Sequence, residues 1–85
     1  MEREVQIRGE MIRLGQLLKL ADAAADGGDA KALLAEGVVT VNGEPEARRG
    51  RQLHRGDVVV VAGGELRLGD SARGGLAVEV RLPAA

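Results

Sequence analysis

The 85-residue sequence predicts an α+β fold: two short N-terminal helices packed on a small, mostly antiparallel β-sheet, with an extra C-terminal hairpin. Three observations predict it. Leu14, Leu17, Leu18 and Ala21 recur at helical spacing, after Gly37 the pattern changes to the branched runs VVTV and VVVV, and Asn42-Gly43 and Gly63-Gly64 punctuate those runs as tight turns.

Taken in order, Val5 and Ile7 alternate with Gln6 and Arg8 inside residues 1–12, which suggests a short strand or an extended arm. From Arg13 the i, i+3, i+4, i+7 spacing predicts a helix that ends by Ala25, before Gly27-Gly28. Arg13 falls just beside its apolar stripe and Lys19 points away from it. A second helix comes next, with Asp26 or Gly28 as N-cap, Asp29 placing negative charge in the first turn, and Gly37 ending it after about two turns. Ala30, Leu33 and Leu34 form its apolar side and Lys31 flanks it. Residues 38–41 then form a strand closed by Asn42-Gly43. The four valines at 58–61 read as a strand covered on both faces, and Gly63-Gly64 as the next turn. ELRLG is a short strand, DSARGG a loop, and Leu76, Val78, Val80 and Leu82 share one face of a last alternating strand.

The core must come from aliphatic residues, since the chain holds 11 Leu, 10 Val and 2 Ile and no aromatic side chain. The same inventory excludes chemistry. With no Cys there is no disulfide frame, thiolate metal site or thiol nucleophile. One His (His54), one Ser (Ser71) and one Thr (Thr40) supply no nucleophile–base–orienter set, and the carboxylates show no metal-ligand spacing. An enzyme, a metal, a cofactor and a small-molecule substrate are therefore not expected. No apolar run approaches the ~20 residues of a membrane span, and the charged start is unlike a signal peptide, so a soluble, cytoplasmic protein is expected.

Net charge is only −1, but it is unevenly spread. RRGRQLHR, residues 48–55, carries four Arg and no acid, while every other segment is net acidic. Guanidinium groups pair with phosphate through two parallel hydrogen bonds, and Gly50 lets backbone approach closely. The competing reading is a solvated loop whose arginines pair with Glu44, Glu46 and Asp57. His54 reads as an ordinary loop histidine. Without aromatic residues to stack bases, any RNA contact must rest on phosphates, sugars, shape and Arg planes.

The ordered pieces RLGQLLKLA (13–21), AKALLAEGVVTVNGE (30–44), RRGR (48–51) and RGDVV (55–59) resemble the S-four RNA-binding domain, a family named for a small-subunit ribosomal protein. The pattern is most similar to its small stand-alone bacterial members. The resemblance spans residues 12–62 and implies a single domain over 1–85, with 63–85 as a β extension. In that family the two helices and the loop after the VNG turn form the αL motif, which presents basic residues to structured RNA. Position by position, the resemblance implicates Arg13, Lys31, Arg48, Arg49 and Arg51, with Lys19 and Arg55 flanking. It assigns Gly37, Asn42, Gly43, Gly56 and Asp57 to turns. The function it implies is a non-catalytic, ribosome-associated RNA-binding module for rRNA or tRNA. Two other functions compete: a protein–protein adaptor whose arginine loop meets an acidic partner, and a β-grasp sulfur carrier, which VNGE followed by GD also resembles. Such carriers need a C-terminal Gly-Gly, whereas Gly63-Gly64 and Gly74-Gly75 are internal.

Overall fold

A computed structural model describes residues 2–81. In chain order they form β1 (Glu2–Gln6), β2 (Ile12–Arg13), α1 (Leu14–Leu20), α2 (Gly27–Ala35), β3 (Val39–Val41), β4 (Glu44–Pro45), β5 (Gln52–Leu53), β6 (Val58–Val61), β7 (Gly64–Asp70) and β8 (Leu76–Arg81). Six strands build one sheet in the order β1-β8-β7-β6-β3-β4, and all its pairings are antiparallel. A separate two-stranded ladder joins β2 to β5. The class is α+β with two short helices, as the period change at Gly37 predicts.

Helix α1 stops earlier than Ala25. Asp22 takes a left-handed φ of 59°, its N–H donates to the Lys19 carbonyl at 3.1 Å, and the Ala23 N–H donates to Leu18 at 2.9 Å. These two bonds form a Schellman closure, so the alanines at 23–25 leave the helix despite their high propensity for it. Ala21 and Ala24 are buried by the turn that results, which seats α2 beside α1. Helix α2 starts at Asp26, whose Oδ1 accepts the Asp29 N–H at 2.9 Å, and Gly37 lies just past its end with a φ of 75°.

Two strand readings need correction. In β6 only Val59 is fully buried, and Val58, Val60 and Val61 are partly exposed. The cause is one-sided cover: Val58 and Val60 stand beside Arg67 and Glu65 on the sheet face away from the helices. The turn after β6 is centred on Ala62-Gly63 rather than Gly63-Gly64, because Gly64 already pairs with Val61 in the ladder. The last hairpin does extend the sheet. Its strand β8 is nevertheless internal, since residues 2–6 pair along its outer edge. Leu76, Val78 and Val80 are buried as expected, and Leu82 lies outside the described residues.

The core lies between the helices and one sheet face. Leu14, Leu17 and Leu18 of α1 and Ala30 and Leu34 of α2 meet Val39, Val41, Val59, Leu66, Leu68, Leu76, Val78 and Val80. Each fully buried Leu or Val stabilises by roughly 1.5–3 kcal/mol, which is how a helix of 7 residues is held at all. Among the described residues no helix is long and apolar enough to cross a membrane.

The Asn42-Gly43 turn carries φ values of 52° and 87°, the conformation that this dipeptide favours. Ala62 adopts a φ of 47° in the equivalent turn with no such aptitude. Ala62→Asn should therefore raise stability by about 0.5–1 kcal/mol in urea denaturation followed by far-UV circular dichroism. An unchanged midpoint would contradict this account of the turn.

Candidate nucleic-acid interface

The β2–β5 ladder pairs Ile12 with Leu53 and Arg13 with Gln52, and both apolar partners are buried. It draws residues 48–51 against the start of α1. Arg13 stands at the N-cap position, but arginine has no side-chain acceptor to offer the helix. The loop supplies acceptors instead. The Leu14 N–H donates to the Arg51 carbonyl and the Gly15 N–H to the Arg49 carbonyl, both at 2.9 Å. Gln16 Oε1 accepts the Arg13 N–H at 3.2 Å, and Arg13 Nη1 donates to the Gly50 carbonyl at 3.0 Å.

This contact is close enough to explain Gly15. A Cβ there would stand 3.3 Å from Arg49 Cβ and 3.5 Å from the Arg49 carbonyl oxygen. From this position the Arg49 guanidinium reaches the start of α2, with Nη1 3.5 Å from the Gly27 carbonyl. Arg13, Lys19 and Arg49 thereby line one shallow cleft of about 330 Å³, together with Gly15, Gln16, Gly27 and Gly50. Among the described residues none of these three cations is ion-paired.

On the other side of the loop the charge is compensated. Glu46 accepts from Arg48 Nε and Nη2 at 3.2 Å each, from Arg51 Nη1 at 2.9 Å, and from the backbone N–H groups of Ala47 and Arg48. Its side chain is 10% exposed, against 75% for Arg48. The Arg48 side chain first, then the Arg48 N–H and Arg51, hold the Glu46 carboxyl at about 2. Arg48 is raised in return. Of the three carboxylates the sequence offers as partners, Glu46 takes two arginines at once. Arg48 and Arg51 line a second, wider cleft of about 730 Å³ with Gly50, Gln52, His54 and Asp57.

Asp57 and Asn42 do the turn work expected of them. Burial would raise the Asp57 carboxyl, but the Asn42 amide at 3.0 Å and the His54 N–H at 2.8 Å outweigh it, so it lies below its ordinary value. Asn42 Oδ1 accepts the Val58 N–H at 2.9 Å, which ties the turn after β3 to the start of β6.

Two sequence candidates lie apart from the clefts. Arg55 forms ion pairs with Glu10 and Asp70, which raise its own affinity for the proton. Lys31 is exposed on α2 and lines neither cleft. Sequence reasoning missed Gln16 and Gln52 as lining residues. Gln16 carried a signal, three residues after Arg13 at a helix start, whereas Gln52 carried none.

Comparison with known proteins agrees with this architecture. The family model described as "S4 domain" matches residues 5–68. A Bacillus subtilis (strain 168) protein described as a probable ribosome maturation protein, RlbA, is 54% identical over 63 residues, covering 74% of this chain and 89% of that protein. The crystal structure of the 30S ribosomal protein S4e from Thermoplasma acidophilum is similar in fold, with a TM-score of 0.59 at 22% identity. That likeness covers 92% of this chain, which spans only 40% of the S4e chain. The chain belongs to the S4-domain family.

The depressed Glu46 carboxyl makes a pH prediction. A folded-state value of about 2, below the ordinary 4.5, stabilises the fold above pH 4.5, and the contribution is lost as pH falls towards 2. Glu46→Gln should cost about 1–2 kcal/mol at pH 6, allowing for the solvent exposure of Arg48, and only roughly a few tenths of a kcal/mol at pH 2, where the folded-state carboxyl is half protonated. Thermal melts by circular dichroism across that range would show the two curves converge. Parallel curves would mean that the carboxylate cluster contributes no stability.

Proposed function

We propose that this protein is a non-catalytic module that binds structured RNA, ribosomal or transfer, through phosphate and sugar contacts made by the 48–51 loop and the helix starts. The single observation that carries the reading is the convergence of Arg13 and Lys19, from the two ends of α1, and Arg49, from the 48–51 loop, on one cleft without carboxylate partners among the described residues. A chain of net charge −1 has no general pull on nucleic acid, so an unpaired cation cluster is a local and shaped anion site. Family membership and a relative described as a ribosome maturation protein support the same reading. Lack of aromatic residues favours folded RNA over single strands, because base stacking is unavailable.

Arg49 and Arg13 are the leading contacts in this reading, and Lys19 borders them. Arg48 and Arg51 stand second, because each would have to share its guanidinium with Glu46. Lys31 and Arg55 are peripheral. A sulfur-carrier role finds no support in this arrangement. A cut after Gly64 or Gly75 to free either internal Gly-Gly would detach β8 from its place between β1 and β7.

The test is equilibrium binding of a labelled RNA hairpin across a salt series. Three to five phosphate contacts should make log K fall against log salt with a slope of about −2 to −4.5. Arg49→Ala and Arg13→Ala should each weaken binding by roughly three- to tenfold and flatten the slope by nearly one, with Arg48→Ala and Arg51→Ala smaller. A folded parent that ignores the hairpin at low salt would turn the search to acidic protein partners.

A further inference from the structure

Gly50 is a glycine that the fold does not require. It sits centrally in the turn closed by the Arg51 N–H on the Arg48 carbonyl at 3.3 Å, and its φ lies outside the left-handed region. A side chain there would also have room. The nearest atom to a Cβ is Arg13 Nη1 at 3.8 Å, an ordinary van der Waals distance. Gly15 and Gly28, by contrast, face neighbours at 3.3 Å, and Gly37 and Gly43 have positive φ. An exposed turn position of this kind accepts most residues and gains rigidity from any of them.

Its position is particular. Among the described residues, Gly50 is the one that lines both clefts, the uncompensated one holding Arg13, Lys19 and Arg49 and the one where Arg48 and Arg51 stand beside Glu46 and Asp57. Any chain running from one to the other crosses the loop at this point. Missing Cβ atoms are useful where a ligand's backbone must come close to the protein's own. We infer that Gly50 is a saddle over which one strand of the RNA phosphodiester backbone passes from the first cleft to the second. This deepens the RNA-binding reading and rests on it. The saddle sets how closely successive phosphates approach the arginines on either side, so a methyl group there lifts the strand from both clefts at once. Gly69 provides a control, because it also has open space for a Cβ and no positive φ, but it lies in β7 and lines neither cleft.

Gly50→Ala, Gly50→Val, Gly69→Ala and Arg49→Ala are compared in the full chain by thermal melting and by titration of the labelled hairpin at fixed salt. Gly50→Ala is expected to melt at or above the parent temperature while binding roughly tenfold more weakly, the equivalent of one lost charge-assisted hydrogen bond. Gly50→Val should bind more weakly still, and Gly69→Ala should match the parent. Parent-like binding by both Gly50 variants, with Arg49→Ala still weakened, overturns the saddle and leaves the RNA reading standing. A lowered melting temperature for Gly50→Ala also overturns it, since the glycine would then answer a structural demand. A parent that does not bind the hairpin overturns the RNA reading and the saddle with it.

Discussion

The first two N–H groups of α1 donate to carbonyls that lie more than thirty residues further along the chain, and the basic surface depends on that. A helix of 7 residues has most of its donors in its first turn, where no intrahelical partner exists. A Ser or Asp at the N-cap would normally supply one acceptor. Arg13 cannot, and the carbonyls of Arg49 and Arg51 take over. Because Leu14 is fully buried beside them, leaving those donors unsatisfied would cost about 1–3 kcal/mol each. Helix and loop are consequently one unit. Neither has a reason to hold its shape without the other, and the β2–β5 ladder fixes their register.

Such coupling also settles where the cations sit. Four arginines in eight residues look, in sequence, like one positive patch. In three dimensions the loop backbone divides them. Arg49 is turned towards Gly15 and Gly27 by the same carbonyl that caps α1. Arg48 and Arg51 fall on the opposite side, around Glu46. Arg55 is drawn away by Glu10 and Asp70. With a Debye length near 8 Å at physiological salt, compensated pairs contribute little beyond their own contacts. The potential that a distant anion meets is therefore weaker than the loop composition suggests, and the uncompensated positive charge is concentrated where Arg49 joins Arg13 and Lys19. A chain of net charge −1 can still carry a positive patch because charge is arranged locally rather than summed.

Local rules made much of the fold legible. Asn42-Gly43, the glycine after α2 and the Asp26 cap each rest on the chemistry of a few adjacent residues, and each is where that chemistry puts it. The errors occur where packing or an unforeseen local closure overrides that chemistry. The alanines at 23–25 favour helix, yet the Asp22 closure and the burial of Ala24 end it. Four consecutive valines suggest cover on both faces, but among the described residues no element lies over the second face of β6. The site shows the same division. A concentration of arginine in one loop is visible in the sequence, and so is the resemblance that gives it meaning. Which arginine stays unpaired is not, because Glu46 and Arg49 are separated by geometry rather than by spacing.

The family match ends at residue 68, inside β7, but the surface built on residues 5–68 does not stand without β8. Leu68 faces Val78 across the β7–β8 ladder, and Val78 faces Val5 across β8–β1. Leu76, Val78 and Val80 are buried against the same core that receives Leu14, Leu17 and Leu18. Removing β8 would expose those residues and Leu66 and Leu68 with them, at roughly 1.5–3 kcal/mol apiece. It would also leave β1 without its neighbour in the sheet. The helix face that docks the arginine loop rests on this sheet, so the last hairpin belongs to the platform of the site even though it contributes no residue to either cleft. A segment can be outside the recognisable motif and still be what keeps the motif's charges in register.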